Sequence, residues 1–116
     1  MSARKKVVEN LAAYFSRQDW PGMLPLLTDD VERWEVGAPT RTHGKTEFER
    51  DMAPGPDVAR LTNKVDRMVE EGSVVVAEGR VEVSKKDGSV IHVRYCNVYE
   101  FDGERVKRIT AYAVVV

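Results

Sequence analysis

One carboxamide lies on an otherwise apolar and aromatic stripe in the second half of the chain. Along Val90 to Phe101 the alternate positions on one side are aliphatic or aromatic, and Asn97 is the one exception. Because side chains alternate across a strand, this stripe is expected to face the core. A buried amide that finds no hydrogen-bond partner costs about 1–3 kcal/mol. Asn97 is therefore a candidate for binding a ligand, although a bond to another side chain or to water would satisfy it equally well.

The chain has two histidines and one cysteine that could also carry chemistry. His43, in a Thr-His-Gly turn, could act as an acid or base near neutral pH, cap a loop or line a pocket mouth. His92 shares its strand face with Arg94 and Glu100, which favours the surface. These histidines lie on separate elements without converging carboxylates, so no metal site is predicted. Cys96 is the single cysteine, which excludes an internal disulfide and favours a reducing, cytoplasmic location.

Composition limits the class of protein. The 116 residues, 42% of them hydrophobic, are enough for one globular domain, taken as residues 1–116. The 18 basic and 19 acidic residues leave a net charge of −1, which argues against a nucleic-acid partner. No apolar run approaches the roughly 20 residues of a membrane helix, so no membrane partner is predicted. No phosphate-binding glycine loop or nucleophile-elbow motif occurs, and no cofactor is predicted.

The elements that must position these residues divide into a helical first half and a strand-rich second half. Helical periodicity predicts a helix over 4–18, and Asp19 with Pro21 predicts the start of a short second helix that ends at residues 28–30. A capping-box pattern from Thr46 predicts a third helix up to Met52. Alternation and turn signals predict strands at 31–36, 59–71, 74–84, 90–101 and 106–116. This order predicts an α+β fold with an antiparallel meander.

Four stretches, in this order and spacing, resemble the nuclear transport factor two-like superfamily and within it the SnoaL-like and ketosteroid-isomerase-like domains. They are Gln18-Asp19-Trp20, the segment Leu24 to Val31, the segment Arg41 to Phe48, and the segment Tyr95 to Val106. The resemblance implies a curved antiparallel sheet wrapped around three N-terminal helices, a cystatin-like roll with a conical pocket. It also implies an apolar small-molecule ligand and a homodimer.

The same resemblance implies roles for individual residues. Glu35 falls where ketosteroid isomerases carry the aspartate that is their general base, and Asn97 falls where they carry an oxyanion-stabilising acid. Such a pair suits proton abstraction next to a carbonyl. The isomerases also place a tyrosine on the first helix, where this chain has Leu11, and Tyr14 follows one turn further on. The expected catalytic set is Glu35, Asn97 and Tyr14.

A second set of residues is expected to line the pocket and bind the ligand. They are aromatic or lie at its mouth: Phe15, Trp34, His43, Tyr95 and Tyr99. Trp34 alternates with Glu35, so one of the two must point away from the cavity. Glu35 would then be either a sequestered base or a rim residue, solvated or paired with Arg33 or Arg41.

A related fold, that of limonene epoxide hydrolase, offers another interpretation. Arg80-Val81-Glu82 is similar to its Arg-X-Asp motif, but the third carboxylate would fall near Ala111, and a surface ion-pair ladder explains the motif as well. Three functions therefore stay open: isomerase- or cyclase-like proton transfer without a cofactor, non-catalytic ligand binding or dimerisation, and epoxide hydrolysis. Apolar residues on the outer strand faces, such as Val98 and Tyr112, favour a homodimer through the sheet.

Overall fold

The computed structural model describes all 116 residues and confirms the α+β fold. It contains three α-helices and six strands, and a 3₁₀ turn (Leu24–Leu26) separates the second helix from the first strand. The helices are α1 (Ala3–Arg17), α2 (Trp20–Met23) and α3 (Gly44–Met52). The strands are β1 (Leu27–Glu35), β2 (Thr42–His43), β3 (Val58–Glu71), β4 (Val74–Lys85), β5 (Val90–Asp102) and β6 (Arg105–Val115).

Local capping sets the helix boundaries. The Ser2 hydroxyl accepts a hydrogen bond from the Lys5 amide at 3.1 Å, and α1 ends at Gln18 in a left-handed conformation. The Asp19 carboxylate accepts from the Gly22 amide at 3.0 Å, which confirms the predicted start of α2. α3 begins at Gly44, two residues before the predicted Thr46.

The six strands form one curved sheet in the order β2-β1-β6-β5-β4-β3. The predicted antiparallel meander from β3 to β6 is confirmed. The sheet is mixed, however, because β1 runs parallel to β6. A parallel pair needs a long crossover, and here α3 and the meander supply it.

Two features of the first-half strands differ from the predictions. β1 begins at Leu27, four residues before Val31, because Leu27 pairs with Val106 and is fully buried. The two-residue strand β2, which the sequence suggested was loop, pairs with the middle of β1. Together these pairings place β1 and β2 beyond β6 at one edge of the sheet, and β1 ends at Glu35.

The helices cover one face of the sheet, and the core lies between them. Val8 and Leu11 from α1 and Phe48 from α3 meet Val75 and Phe101 from the sheet, all at most 5% exposed. At about 25 cal/mol per Å² of apolar surface removed from water, this contact is the main stabilising term of the fold. No helix has both the length and the apolar character needed to cross a membrane.

Candidate active site

A cavity of about 170 Å³ lies between the helices and the inner face of the sheet. Seventeen residues line it, and thirteen of them are hydrophobic. The four polar residues in its wall are Arg33, Glu35, Asn63 and Asn97. An apolar cavity with few convergent polar groups is typical of a small-molecule site.

Sheet register places Glu35 and Asn97 on either side of one small residue. Glu35 of β1 is level with Ala111 of β6, and Ala111 is level with Asn97 of β5. Neighbouring strands lie about 4.8 Å apart, so the two Cα atoms are separated by about 10 Å. The methyl group of Ala111 fills little of the space above it, and a carboxylate and a carboxamide therefore border the same gap.

Glu35 lies at the rim of the cavity rather than inside it. It is the last residue of β1, it is solvent-exposed, and neither Arg33 nor Arg41 forms an ion pair with it. Ala113, one inward-facing position further along β6 from Ala111, is also exposed and also lines the cavity. The cavity thus opens beside Glu35, and the expectation of a sequestered carboxylate gives way to one at the mouth.

Asn97 and Tyr99 form a hydrogen-bonded pair deeper in the cavity. The Asn97 Nδ2 donates to the Tyr99 hydroxyl at 3.2 Å, while the Asn97 Oδ1 is buried without a partner. Burial raises the pKa of the Tyr99 phenol, against smaller opposing effects of the Asn97 hydrogen bond and the Arg33 charge. Tyr99 therefore stays protonated, and its own hydrogen has no acceptor in the chain.

Tyr95 closes the cavity through a network that joins three elements. Its hydroxyl donates to Asn63 Oδ1 at 2.6 Å, the backbone N–H of Asn63 donates to Ser16 Oγ at 2.8 Å, and the Ser16 hydroxyl donates to the Ala12 carbonyl at 3.1 Å. Burial, the largest cause, raises the pKa of Tyr95. This network holds α1 against β3 and β5, and it fixes Tyr95 as a wall of the cavity.

Sequence reasoning missed two of the polar wall residues. Arg33 precedes Glu35 by two positions on β1, so strand alternation alone places both side chains on one face. Asn63 lies between Leu61 and Val65 on the inward face of β3, by the same rule. The register puts Arg33 level with Ile109 and Tyr99, one row deeper than Glu35.

Two of the predicted aromatic residues lie outside the cavity wall. Tyr14 packs next to Gly22, with the Arg17 guanidinium 5.2 Å from its ring centroid. Leu11 lines the cavity instead, and Tyr14, about 60° further round the helix, lies against Gly22 of α2. Trp34 points to the opposite face of β1, where its Nε1 donates to the Ala38 carbonyl at 3.1 Å and Arg41 stacks on its ring.

His43 also lies outside the cavity, at the start of α3. It is exposed, and its Nδ1 is 3.7 Å from a carboxylate oxygen of Glu32. It occupies the N-cap position of α3 without a capping bond from its own side chain, and its backbone amide donates to the Glu47 carboxylate at 3.0 Å. Phe15, Tyr95 and Tyr99, in contrast, all lie in the cavity wall.

The Arg80-X-Glu82 motif lies on the outer face of the sheet. Arg80 forms a bidentate pair with Asp66, at 3.0 and 2.9 Å, and this pair holds the pKa of Asp66 below its usual range. Glu82 lies 3.8 Å from His92. Neither side chain reaches the cavity, so an epoxide-hydrolase constellation at these positions is excluded. No cluster of three or more His, Cys, Asp or Glu side chains could hold a metal ion.

Helices packed on a curved, unclosed sheet around a largely apolar cavity form the class of fold that is called NTF2-like. Within that class, the family model of the SnoaL-like domain matches residues 8–109. The chain therefore belongs to the SnoaL-like domain family. A comparison with curated proteins gives no significant match.

Solved structures share the fold at low sequence identity. A protein of Shewanella denitrificans OS-217, assigned as a SnoaL-like polyketide cyclase, is 13% identical with a TM-score of 0.85, over 98% of this chain and 92% of that chain. An epoxide hydrolase of the LEH-like type from M. tuberculosis is 19% identical with a TM-score of 0.83, over 97% and 83%. TerC, co-crystallised with polyporic acid, is 18% identical with a TM-score of 0.80, over 95% and 90%. At these identities the likeness concerns the fold alone.

Proposed function

We propose that the protein, acting as one SnoaL-like domain over residues 1–116, binds an apolar carbonyl compound and moves a proton on it. The reaction is isomerase- or cyclase-like and needs no cofactor. The observation that carries this proposal is the position of Glu35 and Asn97 on either side of Ala111, in a cavity with a largely apolar wall. A base and a hydrogen-bond donor across a gap of one small residue suit enolisation.

Each group has a defined task in the proposed reaction. The Glu35 carboxylate removes a proton from the carbon next to the carbonyl, and the electrons of the C–H bond move to the carbonyl oxygen to give an enolate. The Tyr99 O–H donates to that oxygen, and so does the Asn97 Nδ2–H that is not bonded to Tyr99. Neither of these two hydrogens has another acceptor in the chain. The protonated Glu35 then returns its proton to the same or another carbon, which regenerates the carboxylate.

Membership of the SnoaL-like family and the structural neighbours support the small-molecule part of the proposal. The solved neighbours include a protein assigned as a polyketide cyclase and one bound to polyporic acid. The exposed position of Glu35 gives the base access to solvent, so a substrate that enters the mouth reaches Glu35 first. The single cysteine fits a cytoplasmic setting.

The test uses a small probe that fits the cavity, cyclohex-3-en-1-one, whose isomerisation to the conjugated ketone is followed by ultraviolet absorbance. We expect Glu35→Gln to lower the rate at least about 100-fold, because a positioned base contributes about 10²–10⁴-fold. Glu104→Gln, which makes the same charge change at an exposed turn, is the matched control and should retain the wild-type rate. A folded Glu35→Gln variant with the wild-type rate would refute the role of Glu35.

The exposure of Glu35 also favours a second function, ligand binding without turnover. A base at the rim is less shielded from water than one in a closed site, and it forms no preorganised contact in the chain. Wild-type protein that binds cyclohexenones, as seen by shifts of cavity-residue NMR signals, but neither isomerises them nor exchanges their α-protons in D₂O would establish this second function.

The outer face of the sheet supports a homodimer. Cys96 and Tyr112 are level with each other on that face, Val98 lies beside them, and Tyr112 and Val114 are 49% and 64% exposed. A second copy of the chain would remove this apolar surface from water. Light scattering that gives a particle of 13.1 kDa would contradict the homodimer.

A further inference from the structure

The guanidinium of Arg33 is not paired with any carboxylate of the chain. Its side chain lies in the cavity wall, partly buried, and takes part in none of the ion pairs or side-chain hydrogen bonds of the structure. Several arginines are paired, among them Arg67 with Glu78 and Arg80 with Asp66. The other arginines without an ion pair or a side-chain hydrogen bond are all exposed, unlike Arg33: Arg17, Arg50, Arg60, Arg94 and Arg105. An unpaired guanidinium in a largely apolar wall is costly unless an anion joins it.

The carboxylates nearest in sequence do not supply that anion. Glu32 points to the opposite face of β1, where it lies near Arg41, His43 and Arg108. Glu35 shares the face of Arg33, but it lies one row toward the mouth and forms no ion pair. The free charge of Arg33 therefore faces the space that a ligand would occupy.

The groups around this charge would strengthen its attraction for an anion. The row that contains Arg33 continues through Ile109, which is 5% exposed, to Tyr99, which is 7% exposed. Phe48 of α3 lines the same cavity at 2% exposure. In surroundings of low dielectric constant, a charge pair is worth several times its value in water. A guanidinium also presents two parallel N–H groups that match the two oxygens of a carboxylate.

The size of the cavity limits what accompanies the anion. An engineered protein cavity of about 150 Å³ holds one benzene molecule. The present cavity, at about 170 Å³, therefore has room for one six-membered ring within its walls, and any larger part of a ligand would extend through the mouth beside Glu35.

We infer that the carbonyl compound bound by the cavity has one ring and carries one carboxylate on an otherwise apolar skeleton, and that Arg33 pairs with this carboxylate. Arg33 is thereby a specificity-determining residue for the site. The position of the carbonyl group rests on the proposed function: this group would lie one row nearer the mouth, between Glu35 and Asn97. The carboxylate subsite itself rests only on Arg33 and the cavity.

Two probes of equal shape test the carboxylate subsite: benzoate and its neutral isostere benzamide, titrated at pH 7 by NMR or calorimetry. Wild-type protein should bind benzoate at least about tenfold more tightly than benzamide, which corresponds to about 1.4 kcal/mol. Arg33→Met should abolish this preference, and Arg33→Lys should retain part of it. Arg60→Met is the matched control, because Arg60 is exposed on β3, forms no ion pair, and changes the net charge equally.

The Glu35→Gln variant separates this inference from the proposed function. This variant lacks the negative charge near the mouth that repels the benzoate carboxylate, so it should bind benzoate a few-fold more tightly. The same variant should lose the isomerisation of cyclohex-3-en-1-one. If the benzoate preference holds and Glu35→Gln still isomerises the ketone, the proposed function fails and the carboxylate subsite stands.

Three results would overturn the inference itself. The first is equal binding of benzoate and benzamide by the wild type, the second is no binding of either, and the third is a preference that survives in Arg33→Met. If Arg33→Met does not fold, as judged by circular dichroism, the Arg33→Lys variant tests the carboxylate subsite instead. It keeps the charge but lacks the two parallel N–H groups, so an unchanged benzoate preference in this variant also refutes a guanidinium-specific subsite.

Discussion

Replacing Gly79 by alanine tests whether the Tyr95 wall of the cavity is built as described. Gly79 on β4 is directly opposite Tyr95 on β5, and the Tyr95 ring lies across it to reach Asn63 on β3. A Cβ added at Gly79 would overlap the Tyr95 hydroxyl and ring, and it would lie 2.6 Å from the Lys64 carbonyl oxygen. Glycine in a strand interior often marks such a close approach.

The expected cost has two parts. Overpacking a close contact costs about 1–3 kcal/mol, since either the ring or the backbone must move. If the ring swings out, the 2.6 Å hydrogen bond to Asn63 is lost, which costs about 1 kcal/mol more. Gly79→Ala should therefore lower the free energy of unfolding by about 2–4 kcal/mol. At roughly 4 °C for each kcal/mol in a chain of this length, the Tm falls by roughly 8–16 °C.

Thermal and urea unfolding followed by circular dichroism measure this loss. A double-mutant cycle with Tyr95→Leu isolates the cause, because leucine does not extend across Gly79. The added methyl group should then cost less, because only its contact with the Lys64 carbonyl oxygen remains, and the two changes should be less than additive by at least about 1 kcal/mol. A Gly79→Ala protein within about 0.5 kcal/mol of the wild type, or strict additivity in the cycle, would show that Tyr95 does not lie across Gly79.

Two further predictions concern the buried phenols and the outer sheet face. Burial raises the pKa of Tyr95 and Tyr99 above the ordinary 10.0, so the folded protein keeps protons that the unfolded chain releases. The free energy of unfolding should be unaffected by these groups below pH 10 and should fall above it by up to about 1.4 kcal/mol per pH unit for each tyrosine. Urea unfolding at pH 9 and 11 measures this fall, which should be half as large in Tyr99→Phe. If the protein is a homodimer through the outer face, Tyr112→Asp should convert it to a monomer in light scattering, whereas Thr62→Asp, at an exposed site on β3, should leave the dimer intact.

The second half of the chain was largely predictable because β4 and most of β5 alternate regularly, although β3 shifts register between Val65 and Arg67. The inward stripe of β5, which includes Tyr95, Asn97 and Tyr99, lines the cavity as the pattern predicted. Short glycine-containing turns, such as Asp102-Gly103, join neighbouring antiparallel strands and leave little freedom of topology. Period-two alternation and tight turns are local signals, so a single sequence carries them in full.

The first half was less predictable because distant contacts decide it. Asp29 and Asp30 have the composition of a turn, yet β1 passes through them with irregular register against β6, which leaves both side chains exposed. The parallel pairing of Leu27 with Val106 spans most of the chain and has no local signature. Strand alternation places Asn63 on the inward face of β3, but its bond to Tyr95, a partner 32 positions away, likewise has no local signature.

The volumes of the inward-facing residues explain why the cavity lies where the polar groups are. In the row of Tyr99, the neighbouring strands supply Val75 and Ile109, and these branched side chains fill the core. One row toward the mouth, Asn97 is level with Ala111, whose small methyl group lines the cavity, whereas Ala77 on the other side of Asn97 is fully buried in the core. Space left unfilled beside Ala111 forgoes packing energy that a larger side chain would supply. The sheet therefore gives up stability in the one row that contains both Glu35 and Asn97, as expected if that space serves a ligand.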